Sequence, residues 1–128
     1  MVRSYSKNDK EKRSLDHVMN FWDANVCGEH FIDDEIPNYS PEFFKQYRDF
    51  RFRKEHHLDS LINWSGAKGK DVLEIGLGLG ADSQRWARQA KSFNGIDLTK
   101  NAVDATLKHL KIMGLKGVIK QGNAEQLP

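Results

Sequence analysis

Apolar positions along the chain change rhythm at Lys70. Before it they recur every three or four residues: Leu15, Val18, Met19 and Trp22 in "LDHVMNFWDANV", then Phe43, Phe44, Tyr47 and Phe50, followed by Leu58, Leu61 and Ile62. Such spacing lays one apolar stripe along a helix. It predicts a short helix from Leu15 to Val26 and a second, the longest in the chain, from Pro41 to Trp64. Ser40 can cap the second helix, and Pro41 suits its first position, where no backbone N–H is needed. Between the two, "CGEHFIDDEIPN" carries Gly28, Pro37 and a cluster of acids and reads as a loop, while "SGAKGK" closes the helical region. The first 14 residues are almost all polar or charged and are expected to form a tail or a frayed helix end.

After Lys70 short apolar runs alternate with helical stretches. "DVLEI" reads as a strand, "ADSQRWARQA" as a helix, "SFNGID" as a strand, "TKNAVDATLKHLKIM" as a helix stopped by Gly114, and "GVIKQG" as a third strand. Helices between successive strands force those strands to run parallel, with right-handed crossovers. The expected fold class is therefore α/β: a parallel sheet of the nucleotide-binding type, entered as β-α-β-α-β, behind an N-terminal helical segment. Under this reading residues 1–66 are tail and helical lead-in, and residues 67–128 the first half of the nucleotide-binding unit.

Composition narrows the function classes. The chain has 128 residues, enough for one domain with a core. A formal charge of +2 is too small to point to nucleic acid. No apolar run approaches the roughly 18 residues of a membrane helix, and no apolar segment follows the basic N-terminus as a secretory signal would require. One cysteine, Cys27, leaves no internal disulfide to form, and a cytoplasmic setting is expected.

The chemistry gathers around "DVLEIGLGLGADS". Gly76, Gly78 and Gly80 follow a buried strand and precede a helix, at the turn where an open parallel sheet brings backbone closest to ligand. Two cofactor types fit this turn. Gly76, Gly78 and Ala81 match the G-x-G-x-x-A spacing of a dinucleotide site, with Asp97 about twenty residues on to hold a ribose. A dinucleotide, however, rests its pyrophosphate on the start of the following helix, and here Asp82 stands there. With Glu74 before the loop and Asp97 across the crevice, three carboxylates surround the ligand position, repelling a pyrophosphate and attracting a cation. S-adenosylmethionine, with a ribose for Asp97 and sulfonium and ammonium groups for the other acids, suits them better.

"VLEIGLGLGADS" resembles the first motif, E/D-x-G-x-G-x-G, of the class I S-adenosylmethionine-dependent methyltransferases. "GIDLT" is similar to the acidic end of their second strand, and "QGNAEQLP" to the segment they write G-D-A-E-x-L-P. "FWDANVCGEH" and "PEFFKQYRDFRFRKEHHLDSLINW" resemble the lead-in of a bacterial subgroup. The resemblance implies a Rossmann-like domain, with Glu74, Gly76, Gly78 and Gly80 lining the methionine and ribose portion of the cofactor. It implies Asp97 on the ribose diol, Leu98 against the adenine, and Asn123 and Ala124 at the adenine edge; Asp82, placed at the helix start by the charge argument, joins the expected cofactor-binding residues. Family members usually carry Asp where this chain has Asn123, whose carbonyl can still accept a hydrogen bond from an amino group.

Other chemistry-bearing residues have plainer readings. Cys27 and His30 hold half of a metal-site spacing with no further ligands in pattern, so no metal is expected. Arg51, Arg53, Lys54, Glu55, His56 and His57 read as a solvated face, with the alternative that part of it turns to the substrate or the cofactor carboxylate, and Phe43, Tyr47 and Phe50 read as core, with a substrate pocket as the alternative. The chain stops where the family's next strand would begin. It is expected to be the first part of a methyltransferase, with "DVLEI" at an open sheet edge that invites self-association. No residue stands out as a catalytic base or as the reader of the methyl acceptor. A non-catalytic cofactor-binding module, of this type or of the NAD type, is the alternative.

Overall fold

The computed structural model describes residues 7–127. Its sheet follows the alternation after Lys70 to within a residue. Strands β1 (Asp71–Ile75), β2 (Ser92–Asp97) and β3 (Val118–Gln121) form one sheet in the order β1-β2-β3, all parallel. Helix α4 (Ala81–Gln89) joins β1 to β2, and α5 (Lys100–Ile112) joins β2 to β3. Thr99 caps α5 by accepting from the Ala102 N–H, and Gly114 beyond it takes φ +67°, the left-handed conformation that ends a helix.

Register fixes which residues share a face. Leu73, Asn94 and Val118 lie side by side on one face, where Leu73 and Val118 are 52% and 55% exposed. Glu74, Gly95 and Ile119 lie on the other. The outer flank of β1 pairs with no strand among the described residues.

The helical lead-in departs from expectation in two ways. Helix α1 runs Lys7–Ala24, so most of the predicted tail is helical; residues 1–6 lie outside the described residues. Lys, Glu and Arg lose little side-chain freedom in a helix, which lets a polar stretch extend an amphipathic one. At 18 residues α1 is also longer than α2 (Pro41–Lys54), which has 14. The expected long helix breaks at residues 55–57, and a short α3 (Leu58–Leu61) follows. From Arg53 to His57 every side chain is polar, so no apolar contact holds another turn against the core. The start of α2 is as expected: the Ser40 hydroxyl accepts from the Phe43 N–H at 3.1 Å, with Pro41 at the first position.

Lead-in and sheet unit share one core. Val26, Ile32, Phe43, Phe44 and Tyr47 pack with Leu79, Ala81 and Ala105, so hydrophobic burial crosses the expected boundary between residues 66 and 67. At the far side, Asn101 donates its side-chain amide to the Asp23 carbonyl at 2.7 Å, tying the end of α1 to the start of α5. These contacts bring α1 and α2 over the carboxyl ends of β1 and β2.

Candidate functional site

The loop from Gly76 to Gly80 leaves β1 at the edge of a cavity of about 470 Å³. Gly76 and Gly78 have positive φ, and a Cβ at either would meet no atom within 4 Å, so both border open space. Gly80 is different. It caps α4 at φ +76°, and a Cβ there would lie 3.1–3.2 Å from Thr106 of α5. Two of the three glycines thus leave room for a ligand, and the third lets α5 approach the loop.

Asp97, at the end of β2, holds the loop from the other side. One carboxylate oxygen accepts from the Leu77 N–H at 2.7 Å and the Gly78 N–H at 3.4 Å. The second accepts from the Thr99 N–H at 2.9 Å and the Thr99 hydroxyl at 3.0 Å. Asp97 lines the cavity, so this carboxylate can both shape the loop and meet a ligand.

Glu74, the penultimate residue of β1, also lines the cavity. Its Oε2 is buried with no hydrogen-bond partner. Burial is the main reason its carboxyl is pushed up to about 7, and the nearby Asp82 and Asp97 charges add to the rise. Ser83 and Arg51 pull the other way, Ser83 without forming a well-shaped hydrogen bond. A half-buried acid in this condition lacks a cation.

Asp82 does not lack one. Arg51 of α2 grips it through two parallel bonds, Nε to Oδ1 at 3.0 Å and Nη2 to Oδ2 at 2.6 Å, and reaches Glu55 with Nη1 at 2.5 Å. The three carboxylates expected to stand open at the ligand position differ from one another: Asp82 is paired with Arg51, Glu74 keeps its proton up to about pH 7, and Asp97 is surrounded by N–H and O–H donors. Arg51 was expected on a solvated face, yet it lines the cavity. The signal was present: Phe44, Tyr47 and Arg51 fall at spacings of three and four, one stripe of α2, and Tyr47 also lines the cavity. His56 and His57 are exposed, away from it.

Leu98, Asn123 and Ala124 line the cavity at the ends of β2 and β3, as expected, and so do Gly76, Gly78 and Asp82. Asn123 already uses its carbonyl oxygen to accept from the Glu125 N–H at 3.0 Å, leaving one lone pair for a ligand. Cavity residues beyond the expected site include Trp22, Val26, Cys27 and Thr99. Among the described residues no three His, Cys, Asp or Glu side chains gather as metal ligands, and no helix is long and apolar enough to cross a membrane.

No family model matches the chain. It is 32% identical over 85 residues to the ubiquinone biosynthesis O-methyltransferase of Pseudomonas aeruginosa, a match covering 62% of this chain and 37% of that protein. The chain thus spans little more than a third of the length of the curated relative it matches. Among solved structures, the YcgJ protein from Bacillus subtilis superposes with a TM-score of 0.51 at 28% identity, over 57% of this chain and 32% of that one. An S-adenosylmethionine-dependent methyltransferase from Clostridium acetobutylicum gives a TM-score of 0.46 at 15% identity, over 90% of this chain and 39% of that one.

Proposed function

We propose that this chain, which shares its fold and motif order with the class I S-adenosylmethionine-dependent methyltransferases, binds S-adenosylmethionine at the carboxyl ends of β1 and β2 and serves transfer of its methyl group to an acceptor. The observation that carries the reading is Glu74, which lines the same cavity as Gly76, Gly78 and Asp97 and has one carboxylate oxygen buried without a hydrogen-bond partner. An ammonium group suits that acid, and a ribose diol suits Asp97, which accepts from four donors in the ligand-free fold and can exchange the long 3.4 Å bond from the Gly78 N–H for a ribose hydroxyl. Leu98, Asn123 and Ala124 offer an apolar contact and an amide to the adenine. Arg51 is the one cation among the described lining residues and suits the carboxylate of the methionine end, held in place by Asp82.

When bound, the cofactor supplies an electrophilic methyl group on sulfur. The protein's part is then to hold that group in line with the acceptor and to keep water away, which the aromatic wall of Trp22 and Tyr47 favours. The open flank of β1, with Leu73 and Ile75 more than half exposed, supports pairing with a further strand or a second copy of the chain. Composition, with its single cysteine, agrees with a cytoplasmic setting.

Calorimetric titration tests the cofactor. S-adenosylhomocysteine is expected to bind and NAD to give no heat. NAD binding tighter than S-adenosylhomocysteine would overturn the reading.

A further inference from the structure

We infer that His109 and Arg48 are positioning residues for the glycine loop, so that docking of α2 is transmitted to the shape of the cofactor crevice; the inference rests on the cofactor reading above. His109, on α5, is fully buried, and its ring stacks at 4.3 Å and 19° on Phe44 of α2. Its Nδ1 lies 2.7 Å from the Leu79 carbonyl oxygen and its Nε2 lies 2.7 Å from Nη1 of Arg48. A carbonyl only accepts and a guanidinium only donates. One form of the ring satisfies both: neutral imidazole with its proton on Nδ1.

One turn earlier on α5 the buried Thr106 hydroxyl donates to the Gly78 carbonyl at 3.4 Å. The helix thus grips two successive carbonyls, of Gly78 and Leu79, while Asp97 takes N–H groups of Leu77 and Gly78 from the opposite side. These bonds matter because of the loop's composition. Three glycines in five residues give it many accessible conformations, and it has few side chains of its own to select among them. Whatever ordering the fold leaves undone must be drawn from ligand binding.

Arg48 brings α2 into this arrangement. Among the described residues it forms no ion pair with a carboxylate, and His109 is its hydrogen-bond partner. The charged groups around the imidazole are Arg48 itself and, beyond it, Arg88 of α4 and Asp49 of α2, which act on Arg48. Burial pushes the His109 pKa down to about 4, with Arg48 adding to the fall, which agrees with the neutral ring that the geometry requires.

Amide hydrogen exchange over residues 76–81, together with calorimetric titration of S-adenosylhomocysteine, tests this on four proteins: wild type, His109→Phe, Arg48→Met and Leu110→Ala. Phenylalanine keeps the stacking on Phe44 and loses both hydrogen bonds. His109→Phe is expected to speed exchange of the loop and to weaken binding, each about tenfold, while strand amides stay protected. Arg48→Met should act in the same direction by about threefold. Leu110, buried on the same helix beside Gly117, serves as control; its truncation is expected to lower the melting temperature without a selective change in the loop. His109→Phe and Arg48→Met proteins whose loop exchange and affinity merely follow the stability loss seen in Leu110→Ala would overturn the inference. A wild type that binds no S-adenosylhomocysteine, yet shows the selective loop response in both variants, would overturn the cofactor reading and support the positioning role.

Discussion

Asp97→Ala is expected to weaken S-adenosylhomocysteine binding about a hundredfold, corresponding to roughly 3 kcal/mol. Two losses add. A ribose diol would lose its charged acceptor, and the N–H groups of Leu77, Gly78 and Thr99 would lose the carboxylate that now collects them. The second loss acts even without ligand, so the variant should also melt earlier than wild type. Asp97→Asn separates the two effects. Its amide retains one carbonyl oxygen for the loop but turns an NH2 group toward donors, so it should lie between alanine and wild type in both affinity and melting temperature. Unchanged affinity in a folded Asp97→Ala protein would remove Asp97 from the binding site.

Glu74→Gln is expected to stabilise the ligand-free protein at pH 8 and to weaken its binding of the cofactor product. The Glu74 carboxyl sits at about 7 in the fold against an ordinary value of 4.5. Below about pH 4.5 it is protonated both folded and unfolded and carries no penalty. As pH rises toward 7 the unfolded chain ionises while the folded one keeps its proton, and stability is lost; above 7 the full cost, about 3 kcal/mol, is present. Glutamine does not ionise. Urea unfolding of the two proteins should therefore converge near pH 4.5 and diverge toward pH 8, with the variant the more stable. Binding at pH 6 should release a proton from wild type, because an ammonium beside Glu74 favours its ionised form, and should release none from the variant. Parallel stability curves across this range would mean that Glu74 ionises freely in the fold.

The site is only partly legible in the sequence. Periodicity reports burial within one element, and so β1, β2, β3, α4 and α5 could be read closely: each is a short apolar run or stripe with glycine or a cap at its end. The glycine loop and Asp97 were legible for the same reason, since both sit at fixed positions relative to a strand. Pairings between distant residues were not. Arg51 meets Asp82 across 31 positions of sequence, and a run of charges around Arg51 concealed that one of them faces inward. Counting carboxylates near the loop therefore overstated its negative charge. Nothing in its spacing gives His109, in the last turn of α5, a role of its own. Only the fold, by bringing Phe44 and Arg48 against it, shows that the ring is buried and forked between two elements. The long helix failed at Glu55 because tertiary contact, which a spacing rule does not see, ends with Phe52.

One crevice, at the ends of β1, β2 and β3, is proposed to hold S-adenosylmethionine. Heteronuclear NMR titration of the protein with S-adenosylhomocysteine tests it most directly. Amide signals of Gly76, Gly78, Leu98, Asn123 and Ala124 are expected to shift together and saturate with one dissociation constant, while those of exposed residues such as His56, His57 and Leu61 stay in place. Saturating shifts confined to residues outside this crevice, or no shifts from a folded protein at millimolar ligand, would contradict it.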